Sequence, residues 1–444
     1  MSVQSDLKAF GVAKVLVTLK SVPPGNSLAL AAAAPNLKEV TDCFHRSPDS
    51  REGATALAAG KKKPPTPYRI YRNLGLILGS VDDTGYANLR KSASVKAVNQ
   101  APILSLIKPV AADASSATKG VTWGIKRMRV DKLWSQGITG SGVLVGHLDT
   151  GVDGKHPAFK GGAIARFAEF DFEGDQVVGA TPRDSGEHGT HTAATIAGRP
   201  VKGSKFGVAP DAQLASALVI EGGDVVARIL AGMDWIVGEG VRILSMSLGL
   251  RGFHEDFLPL MQAIRNRGIL PVIAVGNEFA GTSRSPGNYE IVLSVGAFGE
   301  DEKVADFSSS QRFVRPVDPL VPDIVGPGVE VLSALPGGQF GTMDGSSMAT
   351  PHIAGLAALL WQAQPGATAD QIESAILRSC KRPASMPEAR ANRGAPDAVD
   401  ALGFLQGAAG AAVTAKGRRT RKTTKAGKAT TATKKRASKV AKKR

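Results

Sequence analysis

Cysteine is nearly absent from this 444-residue chain. Two occur, Cys43 and Cys380, too far apart to suggest a disulfide framework or a metal cluster. A small cross-linked scaffold is excluded, and a reducing compartment is compatible. Also missing is an apolar run able to cross a bilayer: the longest helical candidate, around Ile353 to Ala363, is too short and begins beside His352. The amino end has no basic start, no uninterrupted apolar stretch of signal length and no small-residue cleavage site close behind it. The expectation is a chain with no secretory signal and no membrane association, and hence a cytoplasmic location. Acidic residues are lacking from one region altogether. Lys416 to Arg444 holds 14 basic residues and no acid, which leaves 41 bases against 39 acids in the rest and concentrates nearly all of the +16 net charge in one tail.

The remainder is ordinary in composition, 43% hydrophobic and 21% charged, and long enough for two or three domains with a large core. Residues 12–19 alternate like a strand, and the stretch from there to Pro67 is loop-like in its Ala, Pro, Gly and Lys. Leu74 to Val81 reads as a strand, Ala87 to Ser92 as a short helix and Val95 to Ile107 as strand material, a small α+β unit. Ala111 to Thr118 has the composition of an exposed connector. After Thr122 the pattern changes. Short apolar runs at Val143–Asp149, Gln213–Ile220, Arg242–Leu248, Ile269–Val275 and Ile291–Val295 alternate with helical patterns, including Val225 to Val237 and Phe257 to Arg267. This predicts an α/β fold, a doubly wound and mostly parallel sheet covered on both faces, with chemistry at the strand C-termini. Helical patterns at Ala349–Gln364, Ala369–Ser379 and Pro396–Leu405 close the domain. The expected organisation is a unit at 1–119, an α/β domain at 120–407 and a disordered Lys/Arg-rich tail at 408–444, which has too few apolar residues to fold alone.

Three segments put reactive residues at strand ends or helix starts. They are Gly146-His147-Leu148-Asp149-Thr150-Gly151, Gly186-Glu187-His188-Gly189-Thr190-His191-Thr192 and Asp344-Gly345-Ser346-Ser347-Met348-Ala349-Thr350-Pro351-His352. Each alone has a structural reading: a turn acid, a capping or core histidine, a helix N-cap. Together, in the order Asp, His, Ser on an α/β sheet, they form a nucleophile–base–orienter set.

With those motifs, over roughly Thr122 to Gln406, the chain resembles the subtilisin-like serine proteases. Ser245-Met246-Ser247-Leu248-Gly249 is similar to that family's substrate-binding strand, Ala274-Val275-Gly276-Asn277-Glu278 to its oxyanion segment, and Asp323 to Gly328 to the stretch before the serine. The resemblance implies a serine endopeptidase, with Ser347 as nucleophile, His188 as general base and acid, Asp149 as its orienter, and the Asn277 side chain with the Ser347 N–H as oxyanion donors. Ser346 stands where the family usually has threonine, so two adjacent hydroxyls compete for the role, and position in the motif favours Ser347. His188 with His191 as a metal pair lacks a third ligand at zinc-site spacing.

A polypeptide substrate is expected as an extended strand between Ser247-Leu248-Gly249 and Gly222-Gly223, with the primary pocket lined by Ala274 to Gly276. Arg284 with Glu278 is either a solvated ion pair or a bias toward acidic or polar residues. Where many relatives hold calcium, this chain has Ala158 and the cationic run Arg199 to Lys205, so no strong calcium site of that kind and no cofactor is expected. Residues 1–119 resemble the family's pro-region loosely, with a cut expected near Lys108 to Lys119; the other reading is a permanent N-terminal domain. The tail resembles those of linker histones, which implies attachment to nucleic acid or another polyanion, against a reading as a dispensable tail. The alternative class is a silent protease domain in a nucleic-acid-associated protein.

Overall fold

The computed structural model describes residues 2–20, 37–45, 67–222 and 225–407. The disorder and polyanion attachment expected of residues 408–444 lie outside the described residues. So does most of the stretch read as loop-like before Pro67.

The N-terminal unit begins with a helix that sequence reading missed, α1 (Val3–Phe10), in which Ser2 and Ser5 cap one another reciprocally and only Val3 and Leu7 are buried. Strands β1 (Ala13–Leu19), β2 (Tyr68–Tyr71) and β3 (Leu76–Val81), helix α2 (Asp83–Lys91) and strand β4 (Val95–Gln100) follow. The strands form an antiparallel sheet in the order β2-β3-β1-β4. Helix α2 starts earlier than its apolar pattern, because Asp82 accepts a hydrogen bond from Gly85 N and fixes the first turn. Alternation along the strands gives the sheet two apolar faces. Val15, Val17 and Ile77 pack with Leu7 and Leu89 of the two helices, whereas Leu16, Leu76 and Leu78 join a cluster with Ile229, Met233 and Met261 of the larger domain.

The predicted strand Val95–Ile107 is broken at Pro102. Beyond it come β5 (Ser105–Leu106) and then β6 (Ala111–Ser115), inside the segment expected to be an exposed connector. All five side chains of β6 are exposed, so nothing in their pattern marks a strand; only backbone pairing defines it.

The strands of the larger domain include, in chain order, β7 (Leu144–Asp149), β8 (Ile164–Glu169), β9 (Gln213–Leu218), β10 (Ile243–Met246), β11 (Leu248–Arg251), β12 (Leu270–Ala274), β13 (Leu293–Phe298), β14 (Ile324–Pro327) and β15 (Gln339–Asp344). Seven of these make one parallel sheet in the order β14-β13-β12-β10-β7-β9-β8, while β15 pairs antiparallel with Val331–Leu335 on one side and with β6 on the other. The edge strands β8 and β14 are absent from the sequence reading. Helices cover both faces, as a parallel sheet requires. Val145, Ile243, Val272 and Leu293 meet α3 (His188–Ala197) and α6 (Ser346–Ala363), and the alternate residues Leu148, Leu244, Met246 and Ile273 meet α4 (Val226–Gly238) and α5 (Leu258–Asn266). Helix α6 is buried from Ser346 to Trp361. Strand β7 lies where the chain's direction across the sheet reverses, so its C-terminal end opens on a crevice between β9 and β10. Among the described residues no helix is long and apolar enough to cross a membrane.

Candidate active site

Asp149 ends β7 in that crevice and is 1% exposed. A carboxylate there needs full hydrogen bonding, and it has three donors. His188 Nδ1 lies 2.7 Å and Thr150 N 2.7 Å from Oδ1, and Thr192 Oγ1 lies 3.1 Å from Oδ2. Burial alone would push this carboxyl up, but the imidazole of His188, with the Thr150 amide behind it, outweighs burial and holds it below the usual carboxylate range.

His188 is the first residue of α3, and the turn after Asp149 packs tightly on that helix start. A Cβ at Gly189 would come within 2.1 Å of Gly151 O, and Gly151, at φ 114°, would put a Cβ 2.2 Å from Arg183 O. Both positions require glycine. Asp184 laces the two segments together: its Oδ1 accepts from Thr150 Oγ1 at 2.7 Å, and its Oδ2 accepts from Thr190 N at 2.7 Å and Thr190 Oγ1 at 2.6 Å. Sequence reading missed Asp184, although an acid four residues before His188 was a visible signal. His191 points elsewhere, with Nε2 2.8 Å from Val331 O, and burial takes it down to about 3. It is a neutral core histidine, and no group of three or more metal-ligating side chains occurs among the described residues.

The two serines opening α6 have separate partners. Ser346 Oγ donates to Asn277 Oδ1 at 2.8 Å, and Ser346 N does so at 2.9 Å, which turns the Asn277 amide nitrogen toward the cleft. Ser347 Oγ donates at 2.8 Å to the carbonyl oxygen of Ile107. Asn277 Nδ2 donates at 2.9 Å to the carbonyl of Lys108, one peptide further on. His188 Nε2 is buried and has no hydrogen-bond partner among the described residues.

The chain's own segment from Leu104 to Val110 therefore crosses the site. Leu106 and Ser105 pair antiparallel with Leu248 and Gly249, and Ile107 N donates to Ser247 O at 3.0 Å. Ile107 is fully buried and Leu104 nearly so. Past Lys108, Val110 N donates to Asp344 O at 2.8 Å, and β6 continues along β15. The strand Ser247-Leu248-Gly249 thus pairs with an extended peptide. The opposite side differs from expectation: Gly222 lines the cleft with Ile220 and Val225 but makes no backbone pair with the segment among the described residues, and Gly223 lies outside them. Ala274, at the end of β12, and Gly276, at φ 120°, support the approach to Asn277 without a hydrogen bond to the segment among the described residues.

Arg284 is not solvated. It is 7% exposed, and its Nε and Nη2 meet Glu278 Oε1 at 3.0 and 2.5 Å, while Nη1 donates at 3.0 Å both to Gly249 O and to Ser105 Oγ of the crossing segment. Burial would raise the Glu278 carboxyl, but the Arg284 guanidinium brings it below the usual range. At the former calcium-type positions Ala158 is buried, and Arg199 donates to the carbonyls of Ala197 and Ala212 at 2.9 Å.

A model of the subtilase family matches residues 140–410. The chain is 34% identical over 284 residues to M-protease from Shouchella clausii (strain KSM-K16), covering 63% of this chain and 70% of that protein. It is 35% identical over 260 residues to Subtilisin Savinase from Lederbergia lenta (58% and 90%), and 30% identical over 312 residues to Subtilisin E from Bacillus subtilis (strain 168) (69% and 75%).

Proposed function

The chain belongs to the subtilase family and is a serine-type endopeptidase, and from that premise we propose that Asp149, His188 and Ser347 are its catalytic triad and that it cuts its own Ile107–Lys108 bond. The observation that carries this reading is the Ser347 hydroxyl on the Ile107 carbonyl, at the end of a strand pairing that runs through Ser247. In hydrolysis Ser347 Oγ attacks the carbonyl carbon while His188 Nε2 takes its proton. The same proton then goes to the Lys108 nitrogen as the amine leaves, and water repeats the sequence on the acyl-enzyme. Asp149 holds the Nδ1–H and stabilises the imidazolium. Asn277 Nδ2 and Ser347 N receive the oxyanion.

The Ser347 proton is committed to Ile107 O, and Asn277 holds the neighbouring carbonyl of Lys108. Cutting needs the Ile107 oxygen to move onto Asn277 Nδ2. That movement releases the Ser347 hydroxyl to His188 Nε2. The buried side chains of Ile107 and Leu104 support a preference for aliphatic residues at the cut and three residues before it, with Arg284 facing the residue two before it.

Intact mass and N-terminal sequencing of the wild type beside Ser347→Ala test the reading. A new N-terminus at Lys108, in the wild type alone, is the expected result, at the first residue of the window expected from sequence. A start at Pro109 would transfer the assignment to the carbonyl that Asn277 holds. Two chains that both stay full length would overturn self-processing.

A further inference from the structure

One buried titratable side chain near Asp149 has no part in the mechanism above. His147 precedes Asp149 by two residues on β7, so strand alternation puts both side chains on the same face. It is 1% exposed, and an imidazole there is costly unless both nitrogens are bonded. Both are. Nδ1 lies 2.9 Å from Oγ of Ser216, its partner across the sheet on β9, and Nε2 lies 2.9 Å from Thr192 Oγ1 on α3. Thr192 Oγ1 is also the one donor to Asp149 Oδ2 among the described residues, whereas Oδ1 has two.

Burial lowers the His147 imidazole, with Asp149 opposing, so the ring is neutral and carries one N–H. The two tautomers have different consequences. A proton on Nδ1 makes Nε2 the acceptor of the Thr192 hydroxyl, and Asp149 Oδ2 loses its donor. A proton on Nε2 makes Thr192 the acceptor and leaves its own hydroxyl proton for Asp149, with Ser216 donating to Nδ1. Without the imidazole, that hydroxyl has alternatives at 3.1 Å on His188 O and 3.2 Å on Gly189 O, the usual back-bonding of threonine in a helix. We propose that His147 is a positioning residue for the catalytic carboxylate, its Nε2–H turning the Thr192 hydroxyl onto Asp149 Oδ2 so that Oδ1 stays aimed at His188. This rests on the triad reading given above.

The groups facing His188 fix the sign of the expected effect. Asp149 meets it on β7 with His147 near that carboxylate and Asp184 acting on His147, and His191 follows it on α3. Loss of the donor to Oδ2 leaves the carboxylate less compensated, which favours the imidazolium. The acid limb of the activity profile then moves to higher pH.

The test is kcat/KM against pH for the full chain after self-processing, with an external peptide, in His147→Val, His147→Gln, Thr192→Val and the Val/Val double variant. His147→Val is expected to move the acid limb upward by about half a pH unit and to lower kcat about tenfold at constant KM. Gln, which offers a nitrogen donor at the same reach, recovers most of both. The double variant behaves like Thr192→Val alone. An unmoved acid limb, or Gln no better than Val, reduces His147 to packing and overturns the proposal. Should His147→Val fail to fold, ¹⁵N NMR of the intact Ser347→Ala chain reads the tautomer directly: protonated Nε2 supports the proposal and protonated Nδ1 overturns it. Asp149→Ala, run alongside, separates the two readings. If it keeps wild-type activity the triad falls and this proposal with it; if it is dead while His147→Val keeps the wild-type profile, only this proposal falls.

Discussion

The two sheets of this molecule bury their faces in different ways. The parallel sheet of residues 144–327 is covered on both sides by helices of its own domain, whereas the antiparallel sheet of residues 13–100 has, among the described residues, helices of its own unit on one side only. Its second face, with Leu16, Leu76 and Leu78, is completed by α4 and α5 of the protease. Polar contacts reinforce that seam: Tyr71 OH donates to Ala227 O at 3.2 Å, and Asp234 Oδ1 accepts from Leu74 N at 3.0 Å. The N-terminal unit is thus a dependent structure, its second face completed by the protease domain.

The strongest way to break this contrast is to remove the proposed nucleophile. Ser347→Ala should leave one continuous chain and lower peptide hydrolysis on the order of 10⁶-fold, a magnitude known in this same family and not obtained from the geometry; intact mass and a peptide assay read both. Asn277→Ala should slow self-processing about 10²–10³-fold, again a family magnitude, without loosening the seam, as seen by the rate of appearance of the Lys108 terminus. Leu76→Ala in the Ser347→Ala chain should cost about 2–5 kcal/mol, all of it at the seam, so that the N-terminal unit melts first in calorimetry while the protease transition stays in place. A single unchanged transition would contradict the dependence.

A pH effect sharpens the comparison further. Burial at the seam raises the Asp234 carboxyl to about 6, against the pull of the Leu74 and Asn73 hydrogen bonds. The assembled form therefore binds more protons than the separated one between about pH 4 and 6. Retention of the cut N-terminal unit should weaken several-fold as pH rises through that window and level off above it. Asp234→Asn should flatten the dependence, measured by dissociation of the cleaved complex at pH 5 and pH 7. The smallest effect is expected at Arg284: peptides with Ser or Asp two residues before the cut should be preferred a few-fold over Lys, and Arg284→Met should erase the preference.

The same contrast explains what could be read in advance. The buried strands ending in Asp149, Leu218 and Ala274 are largely apolar runs, and the motifs at one strand end and two helix starts single out Asp149, His188 and Ser347 from sequence alone. Strand β8, with Arg166 and Glu169, and β14, ending in Pro327, lie at the sheet edges, where the apolar signal thins. Helix α1 buries two residues, too few to give a period. Strand β6 exists through backbone bonds to β15, which no side chain announces. Nor could Ile107 be singled out, because its meaning comes from Ser347 lying 240 residues away in sequence.

That pairing has a kinetic consequence. When the Ile107–Lys108 bond opens, the new amine would remain tethered beside the acyl-enzyme by the Val110–Asp344 hydrogen bond and the five-residue ladder that follows. Held there, its local concentration far exceeds that of free peptide, and return of the amine competes with water for the ester. The commitment to cleavage would then be timed by the peeling of residues 108–115 from the strand that leads to Ser347, and less by the breaking of the bond itself.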